Sequence, residues 1–61
     1  MKLSIKKVLF LGIGGVSMHQ IALTFKEMGV VVYGYDAHKN KYTQLCQDAG
    51  IKVSNKFLKE F

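Results

Sequence analysis

The stretch Val8-Leu9-Phe10-Leu11-Gly12-Ile13-Gly14-Gly15-Val16-Ser17-Met18 decides the fold of this chain. Four consecutive apolar residues run into a cluster of three glycines, and a pattern of helical period starts almost at once. That order reads as a buried strand, a tight turn and a helix whose N-terminus is open to an anion. Gly12 lets the chain turn sharply out of the strand. Gly14, with no side chain, allows a pyrophosphate to approach the backbone, where N–H groups and the helix dipole hold its charge. Ser17 stands where the third small residue of G-x-G-x-x-G belongs, and its hydroxyl can reach a phosphate oxygen. The plainer alternative is a tight βα turn that binds nothing.

Working outward, residues 6–11 form the first expected strand, whose unbroken apolar character suits a sheet covered on both faces. A helix is expected from Gly15 to Met28, with Met18, Ile21, Ala22, Phe25 and Met28 as its buried stripe, and Gly29 as its stop. Residues 30–35, Val-Val-Val-Tyr-Gly-Tyr, have the β-branched and aromatic character of a second strand, which ends in Asp36. Tyr33 and Tyr35, two apart, share a side and are expected to pack against a helix. A polar turn over 37–40 leads to a second helix of about ten residues, with Tyr42, Leu45, Cys46 and Ala49 inward and Gly50 as its stop. Ile51-Lys52-Val53 is a short third strand, after which Ser54 or Asn55 is expected to cap a last helical turn carrying Phe57, Leu58 and Phe61.

The order β-α-β-α-β predicts a parallel α/β sheet with right-handed crossovers and strand order 3-2-1. This is half of a doubly wound, Rossmann-like mononucleotide-binding fold. The first strand is central in a complete fold, so here its free edge of Val8 to Leu11 is expected to pair with another chain, giving a homodimer. The sequence stops where such a domain normally continues, which predicts a truncated piece of a longer protein.

Composition narrows the function. Sixty-one residues with one cysteine and no proline allow one small domain without an internal disulfide. The basic N-terminus is followed by too short an apolar run for a signal peptide, and no stretch approaches the roughly 20 apolar residues of a membrane span. A cytoplasmic protein is expected. The net charge of +5 comes from nine scattered lysines and no arginine, a pattern that does not suit nucleic-acid recognition.

Asp36 lies 24 residues after Gly12, near the spacing at which an acidic residue meets a ribose diol. The alternative is an ordinary turn aspartate. His19 and His38 have no partners at metal-ligand spacing and read as solvated helix and loop residues, although His38 or Lys39 can contact a nucleotide edge. Cys46 falls in an apolar stripe and reads as core. No general acid, base or nucleophile is assigned, no metal site is expected, and the G-x-x-x-x-G-K-[ST] loop of ATP-hydrolysing enzymes is absent from the sequence. The residues describe a binding module. Gly12, Gly14 and Asp36 also fit an NAD-binding piece of an oxidoreductase, and a self-associating α/β scaffold that binds no nucleotide is a third reading.

The glycine run followed by Ile21-Ala22, then Met28-Gly29 and Val32-Tyr33-Gly34-Tyr35-Asp36, resembles the opening of the Mur ligase family. That resemblance covers most of the chain and implies a Rossmann-like N-terminal module holding the UDP part of the cell-wall precursor UDP-N-acetylmuramate. Carried over by position, it makes Gly12, Ile13, Gly14, Gly15, Val16 and Ser17 the diphosphate cradle and Asp36 the uridine-side contact. It further implies a parent enzyme that uses ATP and Mg2+ to add L-alanine to the peptidoglycan precursor, through central and C-terminal domains that are not in this chain. The piece itself is then expected to bind without catalysing. Ser17, His19-Gln20, Tyr35 and Ser54-Asn55 depart from the family pattern, the last two at positions bearing on uridine.

Overall fold

The computed structural model describes residues 5–56. Five elements follow in order: β1 (Lys7–Leu11), α1 (Val16–Glu27), β2 (Val31–Tyr35), α2 (Lys41–Asp48) and β3 (Lys52–Ser54). The three strands are parallel and ordered β1-β2-β3, the expected 3-2-1 arrangement read from the other side. Lys7 to Leu11 pair in register with Val31 to Tyr35, and Tyr33 to Tyr35 with Lys52 to Ser54. The last expected turn, with Phe57, Leu58 and Phe61, lies outside the described residues. Ser54 belongs to β3, and its hydroxyl bonds the backbone of Lys56.

The core lies on one face of the sheet. Phe10, Val30, Val32 and Ile51 from the strands and their ends meet Ala22 of α1, Cys46 of α2 and Ile13 from the glycine loop. Val8, Met18, Leu23, Phe25 and Val53 pack around them, with the Phe10 and Phe25 rings 5.9 Å apart and tilted at 45°. Both helices cover this face, as two successive right-handed crossovers in one direction require. Lys7, Leu9, Leu11, Val31, Tyr33, Tyr35, Lys52 and Ser54 alternate with the core residues and take the other face.

This corrects two expectations. The sheet is covered on one face among the described residues, not on both, and Leu11 and Val31 are about half exposed. Tyr33 and Tyr35 do share a side, but it is the side opposite the helices. An apolar run was expected to mean burial on both faces. A run through an alternating strand gives the same letters when the second face is merely apolar.

The helix stripes are also rotated from their expected positions. In α1 the inward residues are Met18, His19, Ala22, Leu23 and Phe25, while Ile21 and Met28 are exposed. In α2 Thr43 and Cys46 are buried, whereas Leu45 is exposed. The reason is contact between the helices: the His19 ring stacks on Tyr42 with centroids 4.3 Å apart. Each helix therefore faces its neighbour as well as the sheet, and that neighbour is polar and aromatic.

Gly34 is small for a packing reason. A Cβ there would collide with the side chain of Ile13, which is fully buried beneath the glycine loop. The loop is thus pinned to the middle strand by a side chain as well as by backbone.

Candidate functional site

The site forms where β1 and β2 end and the two helices begin. Gly12 has φ 76°, a left-handed conformation that turns the chain off β1. The carbonyl of Tyr35, at the end of β2, accepts from both Gly12 N–H (2.7 Å) and Ile13 N–H (3.1 Å). Gly15 N–H donates back to the Gly12 carbonyl at 3.0 Å, closing the turn. Gly15 is then the N-cap of α1, with an extended backbone at φ −71° and ψ 153°.

Gly14 sits at the meeting point of the two βα loops. Its N–H donates to Asp36 Oδ2 at 2.7 Å, and its carbonyl accepts from Asn40 Nδ2 at 3.0 Å. A Cβ on Gly14 would lie 2.7 Å from Asp36 Oδ2 and 2.9 Å from Thr43 Cγ2. The missing side chain at Gly14 therefore makes room for the start of α2. Gly15 is different: a Cβ there would meet Gly12 O at 3.4 Å and Met18 Cβ at 3.6 Å, ordinary contacts.

Asp36 accepts two backbone N–H groups, Gly14 on Oδ2 and His38 (3.0 Å) on Oδ1. The bond from His38, and then that from Gly14, hold its carboxyl below the ordinary value of 3.8; burial opposes them with a smaller effect, and the electrostatic influence of His38 adds least. At neutral pH it is a carboxylate with lone pairs still open on each oxygen. The spacing to Gly12 found this residue. Its bond to Gly14, which ties one loop to the other, was not legible from spacing.

Four of the loop N–H groups, those of Gly12 to Gly15, are engaged within the protein. The first donors of α1, those of Val16 and Ser17, lie before any i−4 carbonyl of their own helix. No side chain caps this end, and no acidic residue occupies its first turn. Both Val16 and Ser17 are exposed. The arrangement is a helix N-terminus with open donors and a positive dipole end, fit for an anionic oxygen.

His19 is a further correction. It was expected to be solvated, yet it is 5% exposed. Its Nδ1 lies 3.0 Å from the Gly15 carbonyl, an acceptor, so Nδ1 carries the proton. His19 thus ties the N-cap of α1 to the stack on Tyr42, over which Lys41 Nζ lies 5.1 Å from the ring centroid. His38 is exposed as expected, and Cys46 is fully buried, its thiol pushed upward by desolvation.

Beyond Asp36 the surface opens into a cleft of about 340 Å³ lined by Asp36, His38, Lys39, Thr43, Ser54 and Asn55, among others. It adjoins the carboxyl ends of β2 and β3, where open α/β sheets bind ligands. Among the described residues there is no group of three His, Cys, Asp or Glu side chains placed to hold a metal ion.

Sequence reasoning missed Asn40 and Thr43. Asn40 Oδ1 accepts from Tyr42 N–H and Thr43 N–H at 2.9 Å each, while Asn40 N–H donates to Thr43 Oγ1 at 2.9 Å. This is a capping box with threonine in the third position. The available signal was Asn-x-x-Thr before a helical run, but threonine is not the glutamate or glutamine that usually marks the pattern.

A family model described as "Mur ligase family, catalytic domain" matches residues 7–60. The UDP-N-acetylmuramate–L-alanine ligases of Francisella philomiragia subsp. philomiragia and Francisella tularensis subsp. novicida are each 42% identical over 48 residues. That alignment takes in 79% of this chain and 11% of each of those proteins, so the chain spans a small part of the length of the curated relatives it matches. No solved structure matches it.

Proposed function

The chain belongs to the Mur ligase family, and from that premise we propose that it is the UDP-N-acetylmuramate-binding N-terminal part of a ligase that adds L-alanine to the peptidoglycan precursor. The observation that carries this reading is the uncapped N-terminus of α1 behind the glycine turn, set beside the Asp36 cleft. In this reading the diphosphate rests against Gly12, Ile13, Gly14, Gly15, Val16 and Ser17. The first-turn donors of Val16 and Ser17 make the direct bonds, and the four glycine-loop N–H groups hold the shape that presents them. The uridine lies on the Asp36 side, where each carboxylate oxygen keeps a lone pair for a ribose hydroxyl.

Catalysis belongs to the rest of the parent enzyme, which is cytoplasmic in this reading. ATP, with Mg2+, supplies the activation that amide-bond formation requires. The sequence of this chain holds no G-x-x-x-x-G-K-[ST] loop. The chain's own work is to bind and orient. No described helix is long and apolar enough to cross a membrane. As a separate piece the chain is expected to associate as a homodimer through β1, which forms an edge of the three-stranded sheet.

The test is a titration of the 61-residue chain with UDP-N-acetylmuramate and, separately, with NADH, followed by backbone amide shifts. The expected result is movement of Val16, Ser17 and the residues around Asp36 with the UDP compound. Movement of the same amides with NADH alone would overturn the assignment.

A further inference from the structure

The loop that receives the anion in this reading is held partly by its own turn and partly by the start of α2. The peptide between Gly14 and Gly15 leads directly into the open end of α1. Its N–H is fixed on the Gly12 carbonyl (3.0 Å) and its C=O on Asn40 Nδ2 (3.0 Å). A carbonyl oxygen turned toward the ligand at this point would repel an anion. Only one amide orientation of Asn40 is compatible with its partners: two N–H donors on Oδ1 and a carbonyl on Nδ2. The side chain thus serves two helices, capping α2 through its oxygen and anchoring the entry to α1 through its nitrogen.

We propose that Asn40 is a positioning residue for the glycine loop, holding the Gly14 carbonyl on the start of α2 so that the first-turn donors of α1 meet a nucleoside diphosphate already aimed. The value of the arrangement is preorganisation: a loop fixed before binding loses less freedom when the ligand arrives. The ligand arm of this proposal rests on the UDP reading above. The anchoring arm does not, because it concerns bonds present in the free protein.

The two jobs of Asn40 can be separated. Asn40→Asp and Asn40→Ser both keep a good helix N-cap for α2, and both lose the donor to Gly14. Serine adds no charge, whereas aspartate adds one near Asp36. In the 61-residue chain, amide hydrogen exchange at Gly14 and Gly15 is expected to quicken about tenfold in both variants, the effect of losing a hydrogen bond. Exchange at Tyr42 and Thr43 is expected to hold, as the marker that the α2 cap survives. UDP-N-acetylmuramate affinity is expected to fall by a similar factor of about ten in both.

Gly14 and Gly15 exchange within about twofold of the unsubstituted chain would overturn the anchoring role. Weakened binding in Asn40→Asp but not in Asn40→Ser would overturn the positioning role, since charge repulsion alone then accounts for the loss. Faster exchange with undiminished affinity in both variants would overturn it as well. If the unsubstituted chain binds no UDP-N-acetylmuramate, the UDP reading fails, and the exchange comparison decides the role of Asn40 without it.

Discussion

Adjacent glycines in this loop do different work, and substitution separates them. Gly14→Ala drives a methyl group into Asp36 and Thr43, at 2.7 and 2.9 Å. Overpacking of this kind costs about 1–3 kcal/mol, read as a lower urea midpoint. Gly15→Ala meets nothing closer than 3.4 Å and keeps an ordinary φ, but alanine is a poorer N-cap than glycine, so a stability loss of about 0.5–1 kcal/mol is expected, smaller than at Gly14. In the proposed UDP reading its further effect falls on diphosphate affinity. Asp36 supplies a pH test. Its carboxyl titrates below the ordinary value of 3.8 because the folded state donates two N–H groups to it. A depressed carboxyl stabilises the fold above its unfolded-state pKa, and that contribution is lost as pH falls through the lower folded value. The Gly14 and His38 amide shifts are expected to titrate together below pH 3.8, and independent titration of the two would break the assignment. Spacing alone pointed to Asp36. It could not show that the carboxylate already holds Gly14, because that bond joins residues 22 apart through the fold.

At the level of elements, each boundary came within a residue or two of its sequence signal, while the inward faces did not. The glycines, the apolar runs and the β-branched stretch fixed where strands and helices lie. Which side of a helix turns inward depends on what it packs against, and the stack of His19 on Tyr42 is a contact between helices that no single periodicity reports. A polar residue on an apparently solvent side was therefore buried, and Ile21 and Leu45 were left outside. Gly34 tests the joint between loop and sheet. Gly34→Ala places a methyl group against the buried Ile13, and in a chain this small the expected loss of about 1–3 kcal/mol is a large share of the total stability. Loss of the cooperative unfolding transition by circular dichroism, restored in part by Gly34→Ala combined with Ile13→Val, is the expected outcome. Failure of the second change to help would place the damage elsewhere than at Ile13.

At the largest scale, the described residues form a three-stranded sheet with two helices on one side, and Leu9, Leu11, Val31, Tyr33 and Tyr35 beside Lys7, Lys52 and Ser54 on the other. The topology was legible because strand–helix alternation with glycine stops admits few arrangements. Which face the helices take was not, since an apolar strand reads alike whichever side they cover. The homodimer expected through β1, an edge strand among the described residues, is checked by sedimentation velocity: a two-fold mass at micromolar concentration is the expected result, and a folded monomer there contradicts it. The same open architecture sets an order of opening. Lys7 pairs with Val31 and Tyr33 with Lys52, separations of 24 and 19 residues. Their loop-closure costs differ by only about 0.2 kcal/mol, so chain entropy does not rank them. The ranking comes from the ladders, five paired residues between β1 and β2 against three between β2 and β3. The first βαβ unit is thus expected to be the more persistent half. The strand carrying Ser54 is expected to open first, with β3 amides exchanging faster than those of β1 as the measurable sign. A ligand spanning the glycine turn and the cleft beside Ser54 would bridge the half that holds longest to the half that opens most readily, and so slow unraveling from the end where it begins.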